Sequence, residues 1–209
     1  MRGPGFLEQL QHALPGAVSG SRLDALDPWI EVNPERVVDV CRWLREKSEV
    51  RFDSLECITA IDWFEPDPKK AAKVAWQPHT ELVYHLWSTA SRVSIVLKVK
   101  LPRWKGDVPG QLPEVGSVSG VWRGANWHER EVYDMMGIEF EGLADHRRIL
   151  MWEGYPYFPL RKEFPLAGLP SEMPEVAFTG IAPMADGPFV TSAGAADRVA
   201  AEPRAKREV

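Results

Sequence analysis

Residues 127–134 read WHEREVYD and open like H-E-x-x-H, the helical motif in which two histidines one turn apart hold zinc and the glutamate between them activates water. His128 and Glu129 fill the first two places, but Val132 stands where the second histidine belongs. A zinc site would have to recruit His146 and a further ligand from outside the helix, so the spacing argues against it. Paired carboxylates for general acid–base work are the next chemistry to weigh, because Glu131 and Asp134 stand three apart on one helix face. Arg130 is placed to reach Asp134 one turn on, and Arg147-Arg148 follow a short connection. An acidic helix facing a diarginine reads more naturally as a structural ion-pair network than as an active site. The rival reading is a stand-alone small hydrolase using Glu131, Asp134 and His146, which requires a concave pocket holding all three and has no nucleophile to complete it.

A third constellation is PLRKEFPL, residues 159–166, where Arg161 and Lys162 sit between the apolar anchors Leu160 and Phe164. Such a segment suits an extended arm whose Leu, Phe and Pro side chains enter a neighbour's grooves while its cations fork onto carboxylates. Proline-rich chain loses little conformational entropy on docking, which favours that reading over a row of solvated charges.

The elements that must position these residues follow from the periodicity. Phe6, Leu7, Leu10 and Leu14 give a short amphipathic helix that stops at Pro15-Gly16. A strand at 29–32 leads to a second helix, with Asn33 as its cap, Pro34 in its first position, and Val37, Val40, Cys41 and Leu44 as its core face. Strands are expected at 57–64, 80–88 and 92–101, the last alternating Val93, Ile95, Leu97 and Val99 against Arg92, Ser94, Lys98 and Lys100. PDPKKAAK reads as an exposed turn, and no Gly-rich phosphate loop follows any strand. A helix from about Ala125 to Met136 ends at Gly137, a left-handed cap. The expected fold class is therefore α/β (α+β): a small sandwich of about four mainly antiparallel strands with two helices on one face, then a motif helix and an extended C-terminal arm. The expected divisions are 1–113 for the α/β domain, 114–166 for the motif helix and docking arm, and 167–209 for an Ala/Gly/Pro-rich tail with no fold of its own.

Composition narrows the function. The 209 residues carry a formal net charge of −5, with 25 Lys and Arg scattered along the chain, which argues against nucleic acid as a partner. Cys41 and Cys57 are the two cysteines, too few for a zinc quartet or for the thiolates of an ordinary iron–sulfur cluster. The N-terminal stretch lacks the apolar core of a signal peptide, and no stretch approaches the roughly 20 apolar residues of a membrane span. Nine tryptophans point toward buried contacts with partners.

Taken together, SVSGVWRGANWHEREVYDMMGIEFEG, RRILM and PLRKEFPL resemble the 30 kDa subunit family of the proton-pumping NADH:quinone oxidoreductase, respiratory complex I. The specific pattern, E-R-E-x-x-D-x-x-G-I-x-F-x-G, is matched by Glu129, Arg130, Glu131, Asp134, Gly137, Ile138, Phe140 and Gly142. The resemblance is strongest from about Ser117 to Leu166 and weaker over the α/β domain, including AIDWF and ELVYHLWS. It implies a non-redox structural subunit in the hydrophilic arm, packed against the subunit that forms most of the quinone pocket and near the one holding the terminal iron–sulfur cluster. Flavin (FMN), iron–sulfur clusters and quinone would belong to those neighbours, and none to this chain. The resemblance also implies a place on the cytoplasmic side of the bacterial inner membrane, reached only through the complex. Motif residues implied to dock partners are those eight together with Arg147, Arg148, Leu160, Arg161, Lys162 and Phe164.

The chain departs from the family in two places. Where the family commonly reads G-H-P-D-L-R-R, this chain has Gly142-Leu143-Ala144-Asp145-His146-Arg147-Arg148, and Tyr157-Phe158-Pro159 replaces a G-H-P before L-R-K. These departures mark a divergent branch, for which an electron donor other than NADH is an open alternative. Membrane-bound hydrogenases and coenzyme-F420 or ferredoxin:quinone oxidoreductases use similar subunits.

Overall fold

The computed structural model describes residues 5–165 and Leu169; the expected tail from 167 onward otherwise lies outside the described residues. In chain order the elements are α1 (Gly5–Ala13), β1 (Val18–Arg22), β2 (Trp29–Val32), α2 (Val37–Glu46), β3 (Ser54–Trp63), α3 (Pro68–Ala71), β4 (His79–Ser88), β5 (Val93–Leu101), β6 (Glu114–Gly116), α4 (Ala125–Met136) and β7 (Glu139–Glu141). Five strands form one sheet in the order β1-β2-β5-β4-β3, with β2 and β5 parallel and the other pairs antiparallel. Strands β6 and β7 form a separate parallel pair.

The α/β class and mainly antiparallel sheet agree with the sequence reading, which lacked only β1 of the five strands. That strand, VSGSR, carries no apolar alternation, so its extended form is set by pairing with β2 rather than by local pattern. The anticipated face of α2 is in place, since Val37, Val40, Cys41 and Leu44 are all fully buried. Its capping differs. A single 3₁₀ turn, Pro34–Arg36, precedes the helix, and the Asn33 side chain makes no cap bond but donates instead to the Gly16 carbonyl. PDPKKAAK is more ordered than a bare turn, because the Asp67 carboxylate accepts the Lys69 N–H at 2.9 Å and caps α3.

One core joins these elements, apart from the exposed α3. Ile30, Val32, Leu82, Tyr84, Leu86, Ile95, Leu97 and Val99 from the sheet share it with the α2 face and with Val132, Met135 and Met136 of α4. Fully burying such side chains contributes about 1.5–3 kcal/mol each. The motif helix, which lies against β3, is therefore part of the same folded body as the sheet. Val132 is 3% exposed and faces this core, so the place of the second histidine in the truncated H-E-x-x-H motif serves packing.

Candidate functional site

The E-R-E stretch splits three ways along α4. Glu129 has no exposed surface; its Oε1 accepts the Val118 N–H at 2.7 Å and its Oε2 accepts the Ser117 hydroxyl at 2.6 Å. Burial raises this carboxyl to about 7, outweighing the two hydrogen bonds that favour its charge. Arg130 does not reach Asp134 as expected. Its Nε donates to the Arg147 carbonyl at 2.9 Å and its Nη1 lies 3.3 Å from Asp145, while the guanidinium covers the Trp127 ring at 5.1 Å. Glu131 is exposed, so it and Asp134 do not form the paired acids that their spacing suggested. A separation of three residues turns the helix by about 300°, enough to put one acid in water and the other in the core when the buried stripe runs between them.

Asp134 is the centre of the site. It is fully buried, and Arg148 Nη1 donates to its Oδ1 at 2.6 Å and to its carbonyl at 3.0 Å. Its Oδ2 accepts three successive backbone N–H groups, Ile149 at 3.0 Å, Leu150 at 2.7 Å and Met151 at 2.9 Å. One carboxylate thus folds the RRILM segment around itself. Arg148 is in turn enclosed by the rings of Tyr133, Tyr155 and Phe158 at 5.6, 5.9 and 5.2 Å. Its neighbour Arg147 points to solvent and pairs with Asp145 at 2.8 Å through both Nε and Nη2. That fork holds the Asp145 carboxyl well below the usual carboxylate range.

The end of α4 is closed by Gly137 and Arg161. Gly137 adopts the left-handed conformation (φ 65°), and a Cβ there would stand 2.7 Å from the Phe158 ring, so both backbone and packing demand glycine. Arg161 is 5% exposed; its Nε donates to the Met136 carbonyl at 2.7 Å and its Nη2 to the Gly137 carbonyl at 3.1 Å. A cation on the last carbonyls of a helix meets both their hydrogen-bonding need and the negative end of the dipole. The guanidinium also lies 3.7 Å over the Trp104 ring. Leu160 donates its N–H to the Met135 carbonyl at 3.0 Å, although its side chain is 60% exposed.

The expected extended arm therefore lacks regular structure between Leu143 and Pro165, yet it does not project from the domain. Its polar groups answer internal needs: the Arg148 guanidinium neutralises Asp134, that of Arg161 caps α4, and the Lys162 backbone N–H donates to Asp62 at 2.9 Å. Phe164 packs its ring 5.9 Å from Tyr157 on the same segment. Ile138 and Phe140 are buried, and Gly142 turns the chain with φ 84° before Leu143. Sequence reasoning missed Asp62 and Arg103. Asp62 is 5% exposed on β3, and Arg103 grips it at 2.7 and 2.9 Å and also pairs with Glu163. The signal was present in AIDWF, since an acid amid apolar strand residues must find a buried partner.

This arrangement does not suit hydrolysis by Glu131, Asp134 and His146. Both Asp134 oxygens are committed to Arg148 and backbone donors, Glu131 faces solvent, and His146 lies edge-on to Tyr133 with its Nε2 accepting the Phe140 N–H at 3.4 Å. Among the described residues, no group of three or more His, Cys, Asp or Glu side chains is placed to hold a metal. What the geometry does well is to lock an irregular segment onto a helix through buried charges.

Comparison with known proteins agrees with that architecture. Residues 30–170 match the family described as respiratory-chain NADH dehydrogenase, 30 Kd subunit. The NADH-quinone oxidoreductase C-2 subunit of Rhizobium etli (strain CIAT 652) is 45% identical over 137 residues, which cover 66% of this chain and 64% of that protein. The chain thus spans less than two thirds of that relative's length. The NADH-quinone oxidoreductase C-type subunit of Roseiflexus sp. (strain RS-1) is 42% identical over 173 residues, covering 83% of this chain and 87% of its own. A chain in the solved structure of the membrane-bound sulfane sulfur reductase, an archaeal respiratory membrane complex, shares the fold with a TM-score of 0.61 at 22% identity, over 79% of this chain and 87% of that one.

Proposed function

The chain belongs to the family of the respiratory-chain NADH dehydrogenase 30 kDa subunit, and from that premise we propose that it is a non-redox structural subunit of an NADH:quinone oxidoreductase. In this reading it packs against the subunit that forms most of the quinone pocket and near the one holding the terminal iron–sulfur cluster. It supports electron transfer from NADH to quinone, coupled to proton translocation, without handling an electron itself. FMN, iron–sulfur clusters and quinone are held by its neighbours. Among the described residues no helix is long and apolar enough to cross a membrane, which is compatible with attachment on the cytoplasmic face of the inner membrane through partner subunits.

The observation that carries this reading is the Asp134–Arg148 centre. It fixes the shape of residues 148–151 and leaves Leu150 61% exposed there, while Leu160, its N–H bonded to the Met135 carbonyl, is 60% exposed. Exposed apolar side chains on a fixed backbone suit recognition of another protein, because little ordering entropy remains to be lost on docking.

The test is affinity purification of the tagged full-length chain from detergent-solubilised membranes, with flavin and iron content measured on the eluate. The expected result is a stoichiometric set of large subunits bearing both. A chain recovered alone, or one that itself retains flavin or iron after its partners are stripped, overturns the proposal.

A further inference from the structure

Between the segment that follows β5 and the arm lies an open-sided cleft of about 440 Å³, lined by Trp104, Leu112, Tyr157, Phe158, Arg161 and Phe164, among others. Its size falls within the roughly 300–1,000 Å³ of ordinary binding pockets, and its character matches them too: mostly rings and aliphatic surface with two charged residues, Arg161 and the half-exposed Glu163. The cation is the buried one. Two of its nitrogens are held by the carbonyls of Met136 and Gly137, which fixes the guanidinium plane. The third, Nη1, is buried and has no hydrogen-bond partner among the described residues; Glu163 stands 3.8 Å away, beyond hydrogen-bonding range. Glu163 is itself drawn to Arg103, which also holds Asp62. Arg103 thus draws the one acid of the cleft lining away from Arg161 Nη1, which keeps an open demand for an acceptor.

A buried guanidinium nitrogen without an acceptor is costly, and an incoming carboxylate would satisfy it with a charge-assisted bond. We infer that this cleft receives an extended segment of a neighbouring subunit, seating one large aliphatic or aromatic side chain among the rings while an adjacent Asp or Glu carboxylate reaches Arg161. The inference rests on the chain being a subunit of a larger assembly and adds to it a specific socket with a stated occupant. The mostly apolar wall selects the side chain, and the unpartnered Arg161 nitrogen selects the acid beside it.

Replacing Arg161 would also uncap α4, so the decisive variants lie elsewhere. In the assembled complex, the photo-crosslinking residue p-benzoylphenylalanine is placed at Leu112 of the full-length chain, and the adducts are mapped by mass spectrometry. The expected adduct lies on another subunit, where a large apolar residue sits within two positions of an Asp or Glu. In parallel, Leu112→Trp fills the cleft. The isolated variant keeps the wild-type unfolding midpoint, while its incorporation into the complex, in competition with wild type, falls by about 10-fold or more, as for loss of a central interface contact. Adducts confined to this chain, to lipid or to small molecules overturn the inference, as does incorporation of Leu112→Trp at the wild-type level. If the wild-type chain joins no multisubunit complex, the subunit reading falls and this inference falls with it. If wild type and Leu112→Trp assemble equally, the socket alone is refuted.

Discussion

Replacing Glu129 by glutamine should stabilise the protein at alkaline pH. Glu129 is fully buried, receives two hydrogen bonds from Ser117 and Val118, and has no cationic partner among the described residues. Burial raises its carboxyl from 4.5 to about 7. In the unfolded chain it titrates in the ordinary carboxylate range, so the native state binds this proton more tightly than the unfolded state does. The stabilisation is therefore complete below the unfolded value and is lost as pH rises through about 7. At 1.36 kcal/mol per unit, the loss is on the order of 3 kcal/mol. Glutamine keeps the geometry: its carbonyl can accept from Val118 and its amide can donate to Ser117, whose hydroxyl lies 2.7 Å from that of Ser119. It has no proton to lose. The assay is denaturant unfolding of wild type and Glu129→Gln across a series from about pH 5 to about pH 8, read as the difference in stability at each pH. The two should be within about 1 kcal/mol at the acid end, and glutamine should gain roughly 2–3 kcal/mol on wild type toward the alkaline end. A difference that stays flat with pH, or one that runs the other way, refutes the assignment of Glu129 as a buried acid that resists ionisation.

Four further outcomes follow from the site. Asp134→Asn should cost about 3–5 kcal/mol in thermal unfolding, because an amide cannot serve Arg148 and three backbone N–H groups with the same charge. A double-mutant cycle with Arg148→Met should show strong coupling, and additive losses would mean that the two are not a unit. Arg147→Ala and Glu131→Gln, both exposed, should leave the unfolding midpoint unchanged, so a clear drop would contradict the division of the diarginine into one buried and one surface member. Gly137→Ala should cost roughly 2–3 kcal/mol, about 1 of it from the left-handed backbone and the remainder from the clash with Phe158; Phe158→Leu should relieve the second part when the variants are compared by chemical denaturation. Arg103→Met leaves Asp62 buried without its ion partner and should cost about 3–5 kcal/mol, and a midpoint within a degree of wild type would show that the backbone N–H of Lys162 alone suffices.

The sequence by itself determined the elements whose pattern is local. The α2 face, the alternation of β5, the full span of α4 and its stop at Gly137 were all legible, because a 3.6- or 2-residue period and a glycine cap are written in neighbouring residues. The gapped E-R-E to G-I-x-F-x-G pattern likewise carried the family, since it spans residues spaced by one helix and the turn after it. Partners that meet across the fold were decided only by tertiary structure. Nothing in the spacing distinguishes Glu131 from Glu129 as the buried acid, because two residues along a helix rotate the side chain by about 200°, and which side is dry depends on where β3 lies. Arg130 chose Asp145 over Asp134 for the same reason: Asp134 faces inward, where the returning chain delivers Arg148. The path of residues 143–165 was the least legible of all. It has no period of its own and takes its shape from buried groups elsewhere, the Asp134 carboxylate, the last carbonyls of α4 and Asp62, each of which had to be satisfied once water was excluded.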